Sequence, residues 1–438
     1  MSVAYALTGL AVLAALLALR FPLGPAMLLV GMGGYATLSG PGPLLDFMKS
    51  AAYWRFASYD FSVIPLFLIM GQLAVRSGLS GALFGAANAL LGHRKGGVAM
   101  AAVGGCGAFG AICGSSLATA GAMAPVALPE LKRYGFSGAL ATGSLAAGGT
   151  LGILIPPSVV LIVYAVAVQA NVVRMFEAAL IPGLLAMMTF WVTIALYVRL
   201  APDAGPVGAR VPWGERLRAL AATWPSATIF VVVIGGIYAG FFDPTEAAAV
   251  GMVGSAAAAW ANGSLSRVVF EEALLGAAET TAMIFIILLG AEFLNAFLAL
   301  SGLPSFMAEL AAESGWSAYT ILLLMLAFYL LLGCFMDSLA MIFLTVPVFW
   351  PIAARLDFGL PPADLQIWFG IITLVVVELG LITPPVGMNV LIINKAAGDV
   401  PLRDTFMGTL PFVFAELLRI LLLIVFPGII LFLPRLLS

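Results

Sequence analysis

The chain has 438 residues, 63% of them hydrophobic and only 9% charged, with a mean hydropathy of +1.12. A soluble protein of this length needs about a quarter of its residues charged to cover its surface, so the composition defines an integral membrane protein with room for roughly ten crossings. The net charge of −2 says nothing about partners, and no basic run points to nucleic acid; a lone histidine (His93) and three cysteines in apolar stretches argue against a metal cluster.

Residues 4–20 and 23–40 read as two spans joined by a tight turn at Arg20-Phe21-Pro22. The first lacks the basic start and small-residue cleavage site of a signal peptide and is expected to remain in place. Residues 41–58 place Tyr53, Trp54 and Phe56 beside Lys49 and Arg55, a mixture that suits an interfacial helix in the lipid bilayer. A span over 59–76, a short apolar helix over 79–91 and the basic loop His93-Arg94-Lys95 follow. Residues 97–130 are apolar but broken at Gly114-Ser115-Ser116. The polar tip, with basic pairs at both ends (Arg94-Lys95 and Lys132-Arg133), favours a re-entrant hairpin over a straight span.

Residues 137–168 form a long span interrupted at 149–158. Ordinary spans are expected at 178–200, 223–242, 245–262 and 272–300. A second hairpin over 319–352, a second broken span over 366–394 and a last span over 408–434 complete the chain. These elements divide it into scaffold spans with the interfacial helix (1–58), a first repeat (59–200), a connecting loop with scaffold spans (201–271) and a second repeat (272–438).

Charge orients this scheme. Arg20, Arg76, Arg94, Lys95, Lys132, Arg133, Arg199, Arg210, Arg216, Arg218, Arg267, Lys395 and Arg403 gather on the side reached after the first span. Lys49, Arg55, Arg174, Arg355 and Arg435 lie on the other, and Arg419 falls inside a span. Thirteen against five makes the first side cytoplasmic and puts both termini outside.

The two hairpins share a pattern. Ser116-Leu-Ala, followed by Pro125-Val and Pro129, returns 222 positions later as Ser338-Leu-Ala with Pro347-Val and Pro351. Leu151-Gly-x-x-x-Pro-Pro returns 228 positions later from Leu379, and Ser77-Gly-Leu returns 224 later from Ser301. Three markers in one order at nearly one offset define an internal duplication. Five crossings separate the hairpins, and an odd number turns the second copy upside down. The tips then meet near the midplane, the architecture of a secondary transporter.

A broken helix in hydrocarbon survives only where something satisfies its freed backbone groups. Free carbonyls suit a bare cation, and helix N-termini attract anions. The hydroxyls of Ser115, Ser116 and Thr119, opposite the backbone from Gly149 through Gly152, therefore form a first candidate Na⁺ site. Asp337 and Ser338 with Gly380 and Thr383 form a second. A carboxylate near the bilayer centre costs about 2.5–3.5 kcal/mol, so Asp337 calls for a cation, a proton, a helix dipole or a structural hydrogen bond. Glu378, just before the second break, is open to the same readings. Gly104-Gly105 and Gly148-Gly149 also fit close helix packing, and each Pro-Pro pair alone could be a kink without a ligand. Glu246, Glu279, Glu292 and Arg419 read as structural or interface residues.

Together Ile64-Pro-Leu-Phe67, Gly114-Ser-Ser-x-Ala-Thr119, Ile155-Pro-Pro-Ser158, Ile181-Pro-Gly-Leu184, Thr245-Glu-Ala-Ala-Ala249, Met336-Asp337 and Leu381-Ile-Thr-Pro-Pro-Val-Gly-Met-Asn389 are specific. Over nearly its whole length the chain resembles the large membrane subunit of tripartite ATP-independent periplasmic (TRAP) transporters. The resemblance implies an all-helical, inverted-repeat importer of the elevator type in a bacterial inner membrane. It further implies Na⁺-driven uptake of an organic acid anion, such as a dicarboxylate, keto acid or sugar acid. The partners implied are a small four-helix membrane subunit and a soluble periplasmic substrate-binding protein. Ile153 departs from the proline usual in the family's first break. The anion is expected between the tips, near Ser116, Pro156, Pro157, Ser158, Pro384, Pro385 and Asn389. The competing reading is a one-component Na⁺- or H⁺-coupled anion symporter or exchanger. A channel would show non-saturating flux, and no nucleophile–base pair or nucleotide loop supports an enzyme.

Overall fold

The computed structural model describes residues 2–57 and 59–437. The side chains of Trp54 and Arg55, used in the interfacial reading, lie outside the described residues, as does Ser58. Among the described residues the architecture is all-helical, with one isolated bridge between Lys95 and Val207.

The chain opens with α1 (Ser2–Ala18), α2 (Leu23–Ser39), α3 (Pro41–Phe56), α4 (Val63–Arg76) and α5 (Leu79–Leu91). The first hairpin is α6 (Gly97–Cys113) and α7 (Ser116–Arg133), and the first broken span is α8 (Gly138–Leu154) and α9 (Val159–Val168). Then come α10 (Val172–Leu200), α11 (Trp213–Ala221), α12 (Trp224–Tyr238), α13 (Pro244–Ala261), α14 (Arg267–Ser301) and α15 (Leu303–Glu313). The second hairpin is α16 (Ala318–Gly333) and α17 (Ser338–Ala353), and the second broken span is α18 (Pro362–Gly380) and α19 (Met388–Ala397). The chain closes with α20 (Leu402–Val425) and α21 (Gly428–Leu436).

Local chemistry sets these boundaries. Ser137, Asn171, Ser266 and Ser317 each cap a helix by accepting a hydrogen bond from a backbone N–H three residues on. Asp243 and Glu246 form a reciprocal capping box at the start of α13, which accounts for Glu246. The sequence reading needs three amendments. The span expected over 408–434 is two helices, because Pro427 has no N–H with which to continue α20. Part of the expected 201–222 loop is helix α11, bent by 50° from α12. Finally, α15 occupies a stretch that had been assigned no element.

Four helices, Val172–Leu200, Arg267–Ser301, Pro362–Gly380 and Leu402–Val425, are each long and apolar enough to cross a bilayer alone. The third is 83% buried by the rest of the protein, so α18 runs through the core rather than along lipid. One layer is built on α14, with α2 lying along it and α4 against both α14 and α13. The other is built on α8, packed by α6, α7, α10 and α20. The repeats interlock: α9 of the first lies on α17 of the second, and α19 of the second lies on α7 of the first.

Candidate functional site: the cavity between the hairpin tips

Each hairpin places a polar cap at the start of its second arm. Gly114, at φ +65°, reverses the first hairpin where a side chain would be strained and would also come within 2.7 Å of the Pro157 carbonyl. Ser115 then caps α7, accepting from the Ala118 N–H at 3.4 Å. Asp337 holds the equivalent place on the second hairpin, accepting from the Ala340 N–H at 3.4 Å. Of the roles open to Asp337 in the sequence, the geometry supplies a helix-terminus partner.

The next residue of each hairpin makes the central contact. Ser338 Oγ donates to Glu378 Oε1 at 2.7 Å, and Ser116 Oγ donates to Glu378 Oε2. Glu378 is 1% exposed and sits two residues before the end of α18. A single carboxylate from the second repeat therefore joins the tips of both hairpins. In the sequence Glu378 is open to a cation, a proton or a backbone partner, and its two hydroxyl partners are not among those readings. Its signal was its isolation as the one charged residue between Asp364 and Lys395.

Glycines let the hairpin arms close on the broken helices. A Cβ on Gly110 of α6 would come within 2.5 Å of Gly152 Cα of α8, and one on Gly380 of α18 within 2.5 Å of Gly333 Cα of α16. The two halves thus repeat one close backbone contact.

Around the first tip the structure gathers most of the predicted cation residues. Gly152 lies against Thr119 Oγ1 and the Ser115 carbonyl, at 2.4 and 2.7 Å from where its Cβ would be. Gly149 faces the Ser116 carbonyl and the Asn389 amide. Asn389 Nδ2 donates to the Ala146 carbonyl at 3.4 Å, while Asn389 Oδ1 and Thr119 Oγ1 are buried without hydrogen-bond partners. Two buried hard oxygens left without partners fit an alkali cation, which would satisfy them without supplying a proton.

The second predicted cluster is looser. Thr383 Oγ1 donates to the Leu379 carbonyl at 2.6 Å, and no hydrogen bond links it to Asp337 or Ser338 among the described residues. Gly380 serves the approach to Gly333. Pro156, Pro157 and Ser158 are buried behind the first tip, and Ser158 caps α9. Pro384 and Pro385 are exposed, with the Pro384 carbonyl accepting from Cys334 Sγ at 3.2 Å. Both Pro-Pro bonds are cis.

Between the tips lies a cavity of about 140 Å³, lined by Ser115, Ser116, Asp337 and Ser338, by Val159 and Val160, and by Leu68, Thr280 and Met283 from α4 and α14. The N-termini of α7, α9 and α17 all open onto it, and each carries unpaired backbone N–H groups and a partial positive charge. Among the described residues no Lys or Arg lines it. Of the residues expected to hold an anion, Ser116 lines this cavity, with Ser115, Asp337 and Ser338 from the cation set.

A separate buried ion pair ties the second layer together. Arg419 Nε donates to Glu416 Oε2 at 3.0 Å and Nη1 to the Pro182 carbonyl of α10 at 3.1 Å. The pair joins α20 to α10 and bears out the structural reading of Arg419.

Inverted helical repeats whose hairpin tips meet at a cavity inside a multi-pass bundle define a membrane transporter. Residues 10–429 match the family described as the tripartite ATP-independent periplasmic transporter, DctM component. The chain belongs to this family of large TRAP permeases, whose members are transporters and not enzymes. It is 35% identical to the C4-dicarboxylate TRAP transporter large permease protein DctM of Pseudomonas aeruginosa, over 93% of each chain. It is 27% identical to the sialic acid TRAP transporter large permease protein SiaM of Vibrio cholerae, over 95% of each. It is 30% identical to the isethionate TRAP transporter permease protein DctMQ of Oleidesulfovibrio alaskensis, over 84% of this chain and 57% of that longer one. In fold it is similar to the YdaH transporter of Alcanivorax borkumensis, with a TM-score of 0.66 over 89% of both chains at 15% identity.

Proposed function

We propose that the chain imports an organic acid anion by Na⁺ symport, as the large permease of a tripartite system. The observation that carries this reading is the tip cavity, where three helix N-termini converge without a basic side chain. Such a site holds a carboxylate through backbone amides and hydroxyls, and needs a bound cation nearby to complete its positive potential. Ser115, Ser116 and Thr119, with the backbone at Gly149 and Gly152, would hold one Na⁺, and Asn389 would contribute from α19. Asp337 and Ser338 would hold a second. Anion and Na⁺ then strengthen each other's binding, and that coupling acts equally in both directions.

A soluble periplasmic protein would deliver the anion, and a small four-helix membrane subunit would buttress the scaffold built on α14. The hairpin layer would carry its cargo past that scaffold in an elevator movement. The chain would lie in the bacterial inner membrane with both termini periplasmic, a placement its charge asymmetry supports. Relatives named for a dicarboxylate, isethionate and sialic acid support an acidic cargo and leave its skeleton open among dicarboxylates, keto acids and sugar acids.

The test is uptake of labelled anions into proteoliposomes holding this chain and its small subunit, with and without a Na⁺ gradient and the soluble protein. Uptake requiring both establishes the tripartite symport. Saturable uptake by this chain alone would replace it with a one-component symporter or exchanger.

A further inference from the structure

A basic cluster lies where the connecting segment meets the base of the first hairpin. The Lys95–Val207 bridge and a hydrogen bond from the Gly208 N–H to the Gly92 carbonyl, at 3.0 Å, hold the 201–210 segment against the loop between α5 and α6. This brings Arg210 beside His93, Arg94 and Lys95, and Arg94, Lys95 and Arg210 are all exposed. His93 registers the cluster: partial burial and then the charges of Arg216, Arg94 and Arg210 push its imidazole below the usual range. Arg216 is itself buried, donating to the Val211 carbonyl at 2.9 Å and lying over the Trp213 ring.

Two apolar features adjoin these charges. On α11, Trp213, Leu217 and Leu220 lie on one face, at spacings of four and three residues, and are 69%, 62% and 41% exposed. Beside the α11–α12 bend, α5, α6, α10 and α12 enclose an apolar cavity of about 630 Å³. Along α5 it runs from Leu83 to Leu91, roughly 12 Å at a helical rise, and it ends next to the basic loop. On α12 it begins at Thr223, directly after α11.

We propose that an anionic phospholipid binds here, its headgroup on Arg94, Lys95 and Arg210 and an acyl chain in the cavity between α5, α6, α10 and α12. Helix α11 lies in the plane of the same leaflet, with Trp213, Leu217 and Leu220 in the interface. Charge complementarity selects an anionic headgroup, and the apolar slot directly beneath it selects a lipid over a free phosphate. Because α6 is an arm of the first hairpin, the lipid touches the element that carries the Ser115–Ser116 tip. The inference does not depend on which ion or anion is transported.

The test uses the full chain with its small membrane subunit in vesicles of phosphatidylcholine, with or without phosphatidylglycerol, reading the thermal unfolding midpoint and the lipid retained on purification. Phosphatidylglycerol is expected to raise the midpoint and co-purify, while inorganic phosphate alone does neither. A basic residue near an anionic surface contributes about fivefold in partition. The R94Q/R210Q pair, at exposed positions, should therefore cut the preference for phosphatidylglycerol by roughly twenty-five-fold and leave the phosphatidylcholine baseline unchanged. Ala87→Trp, which obstructs the slot, should weaken retention with all three basic residues intact. Equal stabilisation by the two lipids, or an undiminished preference in R94Q/R210Q, would overturn the site. So would a shift seen in detergent only on adding the small subunit, since a protein would then be the occupant.

Discussion

The carboxylate shared by two hairpins makes a demanding prediction. Glu378→Ala removes the acceptor of both Ser116 and Ser338 and leaves two hydroxyls in a buried site. Leaving a buried polar group without its partner costs about 1–3 kcal/mol, so the pair is worth about 2–6 kcal/mol before any relaxation. Ser338→Ala alone forfeits one bond, equivalent to about ten- to a hundredfold in the equilibrium that holds the tips together. Glu378→Gln should fall well short of the alanine variant, because the amide still accepts from one hydroxyl and donates to the other. The assay is a double-mutant cycle on uptake in proteoliposomes, with thermal unfolding measured in parallel. If Glu378 is the bridge, Ser338→Ala costs little further in a Glu378→Ala background. Strictly additive costs would mean that the serines act independently, and the clamp would be refuted.

Three other outcomes are expected. Gly152→Ala drives a methyl into Thr119 Oγ1 and to 2.7 Å from the Ser115 backbone carbonyl, so the unfolding midpoint should fall, by overpacking worth about 1–3 kcal/mol, and the apparent Na⁺ affinity in uptake should fall at least tenfold; an unchanged Na⁺ response would remove Thr119 and Gly152 from the proposed ion site. Arg419→Met strands the Glu416 charge and should cost about 3–5 kcal/mol in stability, most of it recovered in the Arg419→Met/Glu416→Leu pair, as chemical denaturation can test. At the membrane face, Lys132 holds the Asp399 carboxyl below its usual range, chiefly by a hydrogen bond, and also donates to the Ala397 carbonyl. A carboxyl so depressed adds stability above its unfolded pKa of about 4 and loses it as pH falls through the folded value. Asp399→Asn should therefore lower the midpoint slightly at neutral pH, converge with wild type in acid, and differ less in high salt.

Much of the layout was legible because the physics of a bilayer is severe. Hydrocarbon penalises broken helices, so Gly114-Ser115-Ser116 and the two Pro-Pro breaks stood out, and their recurrence at one offset disclosed the duplication. The cluster at the first tip was legible for the same reason: Ser115, Ser116, Thr119, Gly149 and Gly152 are polar or backbone-exposing positions in an apolar run. Glu378 was not, because its partners lie 262 and 40 residues away, and no local pattern says that two hydroxyls share one carboxylate. Thr383 illustrates the converse. It sits at the break in sequence, yet its hydroxyl turns back to its own helix at Leu379. The amphipathic α11 was masked by a connecting stretch whose prolines and charges read as a loop. The division at Pro427 was hidden within one continuous apolar run.

The interlocking of the repeats bears on how the chain is made. Ser116 emerges from the ribosome 262 residues before Glu378, and α19, which covers α7, comes later still. At about 5–20 residues per second, the first hairpin waits roughly 13–50 s for the carboxylate that will join its tip to the second. During that interval α8 can already pack on α7, but the Ser116 hydroxyl has no carboxylate to meet. Biogenesis therefore ends with a long-range closure, and the membrane insertion machinery must shelter an unfinished polar tip until it occurs.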